Sequence, residues 1–164
     1  MAAVRTLNDL FLHTLKDIYY SERQIMRALP KMMKKAAHPE LKQALEMHRS
    51  ETEGQIERLQ KIFEMLEKPA RGVKCEAMDG ILSEAESLME EVEDPEVGDA
   101  GMIANAQAVE HYEITRYGTL IAWAEELGMP DAAELLQQTL DEEKATDKKL
   151  TALAEKRVNK DAAA

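Results

Sequence analysis

The sequence predicts an all-α protein built as a four-helix bundle, with two antiparallel helix hairpins joined by a long crossover. Three observations predict this fold. Aromatic residues make up only 4% of the 164 residues while methionine occurs ten times, a composition typical of helices rather than sheets. Only seven glycines and five prolines interrupt the chain. The four long segments between these breaks carry apolar residues at alternating spacings of three and four.

Prolines and one glycine mark the ends of the predicted helices. The first helix ends at His38 and Pro39 opens the second, while Gly128 is a natural C-cap and Pro130 opens the last helix. Two of the links are short, but the middle link is long and carries a short amphipathic helix. This arrangement is ferritin-like. We predict a single domain with long helices at about 7–37, 39–67, 97–127 and 130–158 and a connector helix at about 75–93.

The composition of the chain excludes several classes of partner and site. A formal net charge of −11 argues against nucleic acid and anionic membranes, because phosphate contacts need Lys or Arg. The single cysteine, Cys75, excludes an intramolecular disulfide and a cysteine-based zinc or iron–sulfur site. The sequence contains neither a secretory signal pattern nor a long apolar run. We therefore expect a cytoplasmic protein that binds neither nucleic acid nor membrane.

Each long helix interrupts its apolar stripe near the middle with an ionisable residue. Single glutamates do so in the first and last helices, and pairs three residues apart do so in the second and third. Four antiparallel helices bring these midpoints to one level, where buried carboxylates repel one another and lose their hydration. Bound metal ions remove this conflict, because hard cations prefer oxygen ligands. The candidate metal ligands are Glu22, His48, Glu51, Glu110, Glu113 and Glu143.

Spacing supports this ligand set, since residues three apart share one helix face. A lone glutamate on a stripe is more often a helix-edge residue, and a lone histidine is more often a hydrogen-bonded core imidazole. The coincidence on four helices favours a site for two metal ions. We expect Glu51 and Glu110 to bridge the two ions. Neighbouring residues that are either hydrogen-bond partners of the ligands or ordinary packing residues are Tyr19, Tyr112, Tyr117 and Thr146.

Five segments resemble the YciF-type bacterial stress proteins, with the related YciE, of the ferritin-like superfamily. They are DIYYSERQ, HRSETEGQIERL, KCEAMDGIL, VEHYEITRYGTL and TLDEEKATDKKLTALAE, and together they extend over nearly the whole chain. The resemblance implies a dinuclear metal centre, with iron or alternatively manganese as the cofactor, a homodimer and a link to the stress response.

The candidate site departs from the ferritin pattern in two places. Where ferritins carry Glu-x-x-His, this chain has His48-x-x-Glu51 on the second helix and Glu143-x-x-Thr146 on the last. Five carboxylates and one histidine make a more anionic site, so ferroxidase activity does not transfer by analogy. We expect a di-iron protein that reacts with dioxygen or hydrogen peroxide. The alternative is a metal-stabilised structural or adaptor module without turnover, and whether the protein is an enzyme stays open.

Overall fold

The computed structural model describes residues 4–164, and over this range the chain forms helices and no strands. The predicted all-α class is therefore confirmed. None of the helices in this range combines the length and apolarity that crossing a membrane requires. The elements in chain order are α1 (Leu7–Lys35), α2 (Pro39–Met65), α3 (Glu76–Glu91), α4 (Pro95–Glu126), α5 (Pro130–Leu153), a π-helical turn (Ala154–Val158) and α6 (Asn159–Ala162).

The four long helices pack as two hairpins, as the sequence predicts. Helix α1 packs against α2, and α4 packs against α5. Contacts of α2 with α5 and of α1 with α4 close the bundle. The crossover between the hairpins contains α3, which packs against α1 and α4. The result is a ferritin-like four-helix bundle with a fifth, shorter helix on its α1–α4 side.

Local capping explains where α4 begins, and it corrects one predicted boundary. Helix α4 begins at Pro95, two residues before the predicted start, because Asp94 caps it. The Asp94 carboxylate accepts hydrogen bonds from the backbone N–H groups of Glu96 at 2.9 Å and Val97 at 3.1 Å. Proline then occupies the first helical position, where a missing N–H costs nothing. Gly128, with φ of +69°, makes the left-handed turn before α5.

One buried carboxylate ties the first turn of α4 to the α1–α2 connection. Asp99 is 3% exposed and accepts hydrogen bonds from the backbone N–H groups of Ala37 at 2.9 Å and His38 at 2.6 Å. These N–H groups lie between two helices and would otherwise lack partners inside the fold. The bond pair therefore helps to set how the second hairpin sits against the first.

The core consists of two apolar clusters with a polar layer between them. One cluster contains Leu15, Ile18 and Leu136, and the other contains Ile25 and Leu45. Each long helix passes from one cluster to the other, so each crosses the layer near its midpoint. The residues that occupy the layer are the ionisable ones that interrupt the sequence stripes, namely Glu22, His48, Glu110, Glu113 and Glu143.

Candidate metal centre

Four carboxylates and one imidazole converge in the polar layer. Helix α1 supplies Glu22, α2 supplies His48, α4 supplies Glu110 and Glu113, and α5 supplies Glu143. The residue exposures are 0% for Glu22, Glu113 and Glu143, 1% for Glu110 and 5% for His48. Acidic residues are almost never buried to this extent without a partner that compensates their charge.

Among the described residues, these side chains form two groups whose ligand atoms lie within 4.8 Å of one another. One group is His48, Glu110 and Glu143, and the other is Glu22, Glu113 and Glu143. Within the first group, His48 Nε2 lies 3.5 Å from Glu110 Oε1. Glu143 belongs to both groups, so the two groups adjoin at its carboxyl group.

Protonated carboxyl groups can pair here, Glu22 with Glu113 and Glu110 with Glu143, but once these groups are ionised many polar atoms of the cluster have no hydrogen-bond partner within residues 4–164. They are Oε2 of Glu22 and of Glu110, both carboxylate oxygens of Glu113 and of Glu143, and Nδ1 of His48. A buried polar atom without a partner ordinarily costs about 1–3 kcal/mol, and a folded protein has few of them. The described residues therefore concentrate in one layer buried polar atoms that are available to bind a ligand.

Burial shifts the pKa of every titratable group in the cluster toward its neutral form. Burial, and next the nearby carboxylate of Glu143, raises the pKa of Glu22 to about 8. Burial also raises the pKa of Glu110 to about 7, raises the pKa values of Glu113 and Glu143 well above their ordinary range, and lowers the pKa of His48 to about 4. A metal ion entering the cluster must therefore displace protons from these carboxyl groups.

Glu51 lies at the rim of the site rather than in either group. Its side chain is 23% exposed, accepts a hydrogen bond from the Thr146 hydroxyl at 3.1 Å and lies 4.0 Å from Lys149 Nζ. The expected bridging pair was Glu51 and Glu110. That pairing stays a prediction. In the structure the residue common to the two groups is Glu143, while Glu51 lies outside both because the face of α2 that meets the core is centred on His48, Thr52 and Gln55.

Two of the four predicted neighbouring residues contact candidate ligands. The Tyr117 hydroxyl donates to Oε1 of Glu22, and Thr146 donates to Glu51. Tyr19 of α1 instead accepts a hydrogen bond from the side-chain amide of Gln60, and its ring packs edge-on against the ring of Phe63 on α2. It therefore acts as a packing residue.

Tyr112 also bonds away from the ligands, although it lies between Glu110 and Glu113 in the sequence. Its hydroxyl donates to Asp17 Oδ1 at 2.7 Å and lies 2.9 Å from the sulfur of Cys75. Tyr112 precedes Glu113 by one residue, which is a rotation of about 100° around α4. Its side chain therefore faces α1 and the start of α3 rather than the cluster. The tyrosine therefore fastens the crossover to the bundle.

Sequence reasoning missed a basic residue beside the cluster, Arg58 of α2. Its guanidinium donates to the Thr139 hydroxyl at 2.9 Å and pairs with Glu142, while the side-chain amide of Gln55 donates to the same Glu142 carboxylate at 3.1 Å. The positive charge of Arg58 also lowers the pKa of Glu22, against the larger effect of burial. Its position offers the one sequence signal: Arg58 follows Glu51 by seven residues, or about two helical turns, so the two side chains lie on the same side of α2.

Comparison with known proteins places the chain in a family. The family model described as "Domain of unknown function (DUF892)" matches residues 6–163. Protein YciF of Escherichia coli (strain K12) is 48% identical over 160 residues, which covers 97% of this chain and 96% of YciF.

Solved structures show the same fold. The crystal structure of the Escherichia coli stress protein YciF has a TM-score of 0.91 at 48% identity and covers 96% of this chain and 99% of its own. YcfI of Rhodopseudomonas palustris, provisionally described as a structural protein, has a TM-score of 0.89 at 53% identity and covers 90% of this chain and 94% of its own. A protein of Xanthomonas campestris pv. campestris has a TM-score of 0.75 at 25% identity, with 92% of each chain covered. The chain therefore belongs to the DUF892 family and is a YciF-like protein.

Proposed function

We propose that this protein binds two metal ions in the polar layer of its bundle, with iron as the metal and manganese as the alternative. The observation that carries the proposal is the set of buried carboxylate oxygens and the imidazole nitrogen that lack hydrogen-bond partners within residues 4–164. A cation is the ligand that would satisfy all of these atoms at once and offset their charge.

The residues fit such ions in donor type and in charge. His48, Glu110 and Glu143 would hold one ion, and Glu22, Glu113 and Glu143 the other. Carboxylate oxygens with a single imidazole make a hard donor set, which suits iron and manganese better than copper or a structural zinc. Two divalent ions would carry four positive charges, against the five candidate carboxylates when Glu51 at the rim is included.

The proposal includes a role in the oxidative or general stress response, as a homodimer in the cytoplasm. The stress description of the Escherichia coli relative supports this role. Bound iron supplies one-electron and oxygen chemistry. The chain itself contributes orientation and exclusion of water: Tyr117 holds Glu22 by a hydrogen bond, and the cluster is almost completely buried.

A metal-stabilised structural module without turnover is the second candidate. Two observations favour it. The ligand side chains are closed off from solvent to 5% exposure or less, which slows the access of polar reactants. The Rhodopseudomonas palustris relative is also provisionally described as a structural protein. In such a structural module the metal ions would take the place of apolar packing in the polar layer, and binding them would stabilise the fold.

The test is metal content after purification without added metal, compared between two variants of helix α5. Glu143→Gln removes the shared ligand, whereas Glu134→Gln changes an exposed glutamate of the same helix. We expect iron or manganese in the wild type and in Glu134→Gln, and most of it missing from Glu143→Gln. A wild-type protein without either metal would contradict the proposal. Full metal content with no consumption of dioxygen or hydrogen peroxide would select the structural module.

A further inference from the structure

A surface groove and a small interior chamber share part of their walls. The groove, of about 370 Å³, lies between α1 and α3. The chamber, of about 20 Å³, is lined by eight apolar residues together with His48 and Glu110. Ala28, Met32 and Leu82 line both spaces. The groove and the chamber therefore adjoin at these three side chains, and two members of the candidate metal centre lie on the chamber wall.

The chamber is large enough for one molecule the size of water. Apart from His48 and Glu110, its walls are hydrocarbon or thioether side chains, among them Ile25, Leu45 and Val109. A molecule that depends on hydrogen bonds loses them while it passes the apolar junction of Ala28, Met32 and Leu82, where no polar side chain replaces them. A small uncharged apolar molecule has no such bonds to lose. The junction therefore disfavours ions and hydrogen peroxide and favours a dissolved gas.

The shared walls also have the adaptability that passage requires. Ala28 is small, and Met32 and Leu82 are half-buried side chains that can change rotamer without breaking a hydrogen bond. An exposed ion pair between Lys31 and Glu86, at 3.1 Å, joins α1 to α3 at the edge of the groove. The crossover helix α3 thus forms one wall of the groove and contributes Leu82 to the junction.

We propose that the groove under α3 is the entry route for a small apolar gas of the class of dioxygen, which reaches the His48–Glu110 end of the site past Ala28, Met32 and Leu82. This inference rests on the proposed metal-binding function for its purpose. It assigns the crossover helix a role that the bundle alone does not require, and it narrows the two candidate oxidants to dioxygen.

Two measurements test the route, and the first needs no metal. Crystals of metal-free protein are pressurised with krypton, an apolar atom located by its anomalous scattering. The second measurement is the stopped-flow rate at which nitric oxide, an uncharged diatomic gas, binds the ferrous-loaded protein. Both are made on wild type, on Ala28→Leu, which fills the junction, and on Ala104→Leu, the same change at an exposed position of α4. Leu82→Ala, which widens the junction, is the fourth protein.

We expect krypton at the junction or in the chamber of wild type and Ala104→Leu, and its loss in Ala28→Leu. Because a close-packed interior leaves little space beside an added side chain, nitric oxide should bind Ala28→Leu about tenfold more slowly. Leu82→Ala should bind it faster, which keeps the test decisive if Ala28→Leu folds poorly. Wild-type crystals without krypton in either space, or junction variants that bind nitric oxide at the wild-type rate, would overturn the route. Absence of metal from the wild-type protein would instead overturn the proposed function.

Discussion

The hydroxyl of Tyr117 donates a hydrogen bond to Oε1 of Glu22, joining α4 to α1 across 95 positions of the chain. Both residues are completely buried, and the other carboxylate oxygen of Glu22 has no partner in the part of the chain that the structure describes. The bond therefore orients the α1 member of the cluster while leaving one oxygen directed at the centre. It is the kind of outer contact that fixes a metal ligand in place.

Replacing Tyr117 by phenylalanine tests this contact. The bond lowers the pKa of Glu22, so its loss makes the carboxyl group harder to deprotonate. We expect Tyr117→Phe to bind ferrous ion about tenfold more weakly and to lower the free energy of unfolding by about 1–3 kcal/mol. Titration calorimetry and chemical denaturation measure the two effects. Tyr20→Phe, which removes a bond to the half-exposed Asp79, is the matched control and should keep the wild-type affinity.

The stability of the metal-free protein should fall as pH rises. The folded-state pKa of Glu22 is raised from 4.5 to about 8 and that of Glu110 to about 7, so the folded state binds more protons than the unfolded state across this window. The stability that these two carboxyl groups contribute is then fully present below about pH 4.5 and is lost as the pH rises toward 8. The lowered pKa of His48 acts oppositely below the ordinary histidine pKa of 6.5, but it is one group against four carboxylates. Thermal unfolding at a series of pH values measures the slope.

Metal should reverse that pH dependence, because binding displaces the same protons. The iron-loaded protein should gain stability from pH 5 to pH 8 over the range in which the metal-free protein loses it. Equal slopes with and without metal would show that the ions do not bind to these carboxylates.

Replacing Glu113 by glutamine should have opposite effects on the two forms. Burial, and next the nearby carboxylate of Glu22, raises the pKa of Glu113 well above its ordinary range. At pH 8 the unfolded chain therefore gains from ionising Glu113 while the buried carboxyl group resists ionisation, so Glu113→Gln, which ionises in neither state, should raise the thermal midpoint of the metal-free protein. In the metal-loaded protein it removes a ligand and should lower the midpoint. Glu134→Gln, on the surface of α5, should change neither value, and a lower midpoint for metal-free Glu113→Gln would refute the idea that burying this carboxyl group destabilises the metal-free protein.

Arg58 is predicted to stabilise the fold through its cross-helix bonds. Its side chain is 15% exposed and holds Thr139 and Glu142 of α5. Arg58→Met removes the bond to Thr139 and leaves Glu142 with only the side-chain amide of Gln55, so it should lower the free energy of unfolding by about 1–3 kcal/mol. Arg49→Met, at an exposed position of the same helix, should change it little. Equal effects of the two substitutions, measured by urea denaturation, would show that the Arg58 contacts contribute nothing specific.

The fold was predictable because its signals are local. Pro39, Gly128 and Pro130 punctuate the chain where the helices end and begin, and the apolar stripes between them identify the buried faces. The start of α4 was placed two residues late because the Asp94-Pro95 capping signal was not used. The continuation of α5 through a π-helical turn into α6 has no comparable signal, since it depends on how the chain end packs against α4.

The buried residues of the candidate site could be predicted from the sequence, but the position of Glu51 at its rim could not. Glu22, Glu110, Glu113, His48 and Glu143 interrupt stripes whose other members are apolar, so their burial follows from the helix period. Glu51 differs because the core face of α2 is centred on His48, Thr52 and Gln55 and leaves Glu51 at its edge, whereas the core face of α4 includes both Glu110 and Glu113.

Contacts between helices could not be read from the sequence. The partners of Arg58 lie on α5, and the partners of Tyr112 lie on α1 and at the start of α3. Which residues meet across two helices depends on their axial positions and crossing angles. The same limit explains why Glu143, rather than Glu51, emerges as the shared member of the two ligand groups only from the structure.

The central claim is that the polar layer binds two metal ions through the side chains that lack partners within residues 4–164. Anomalous diffraction at the iron and manganese edges, on crystals of protein purified without added metal, tests it most directly. The account predicts two anomalous peaks in the layer, one contacted by His48, Glu110 and Glu143 and the other by Glu22, Glu113 and Glu143. Crystals that show no anomalous peak in the layer at either edge, even after soaking in ferrous or manganous salt, would contradict it.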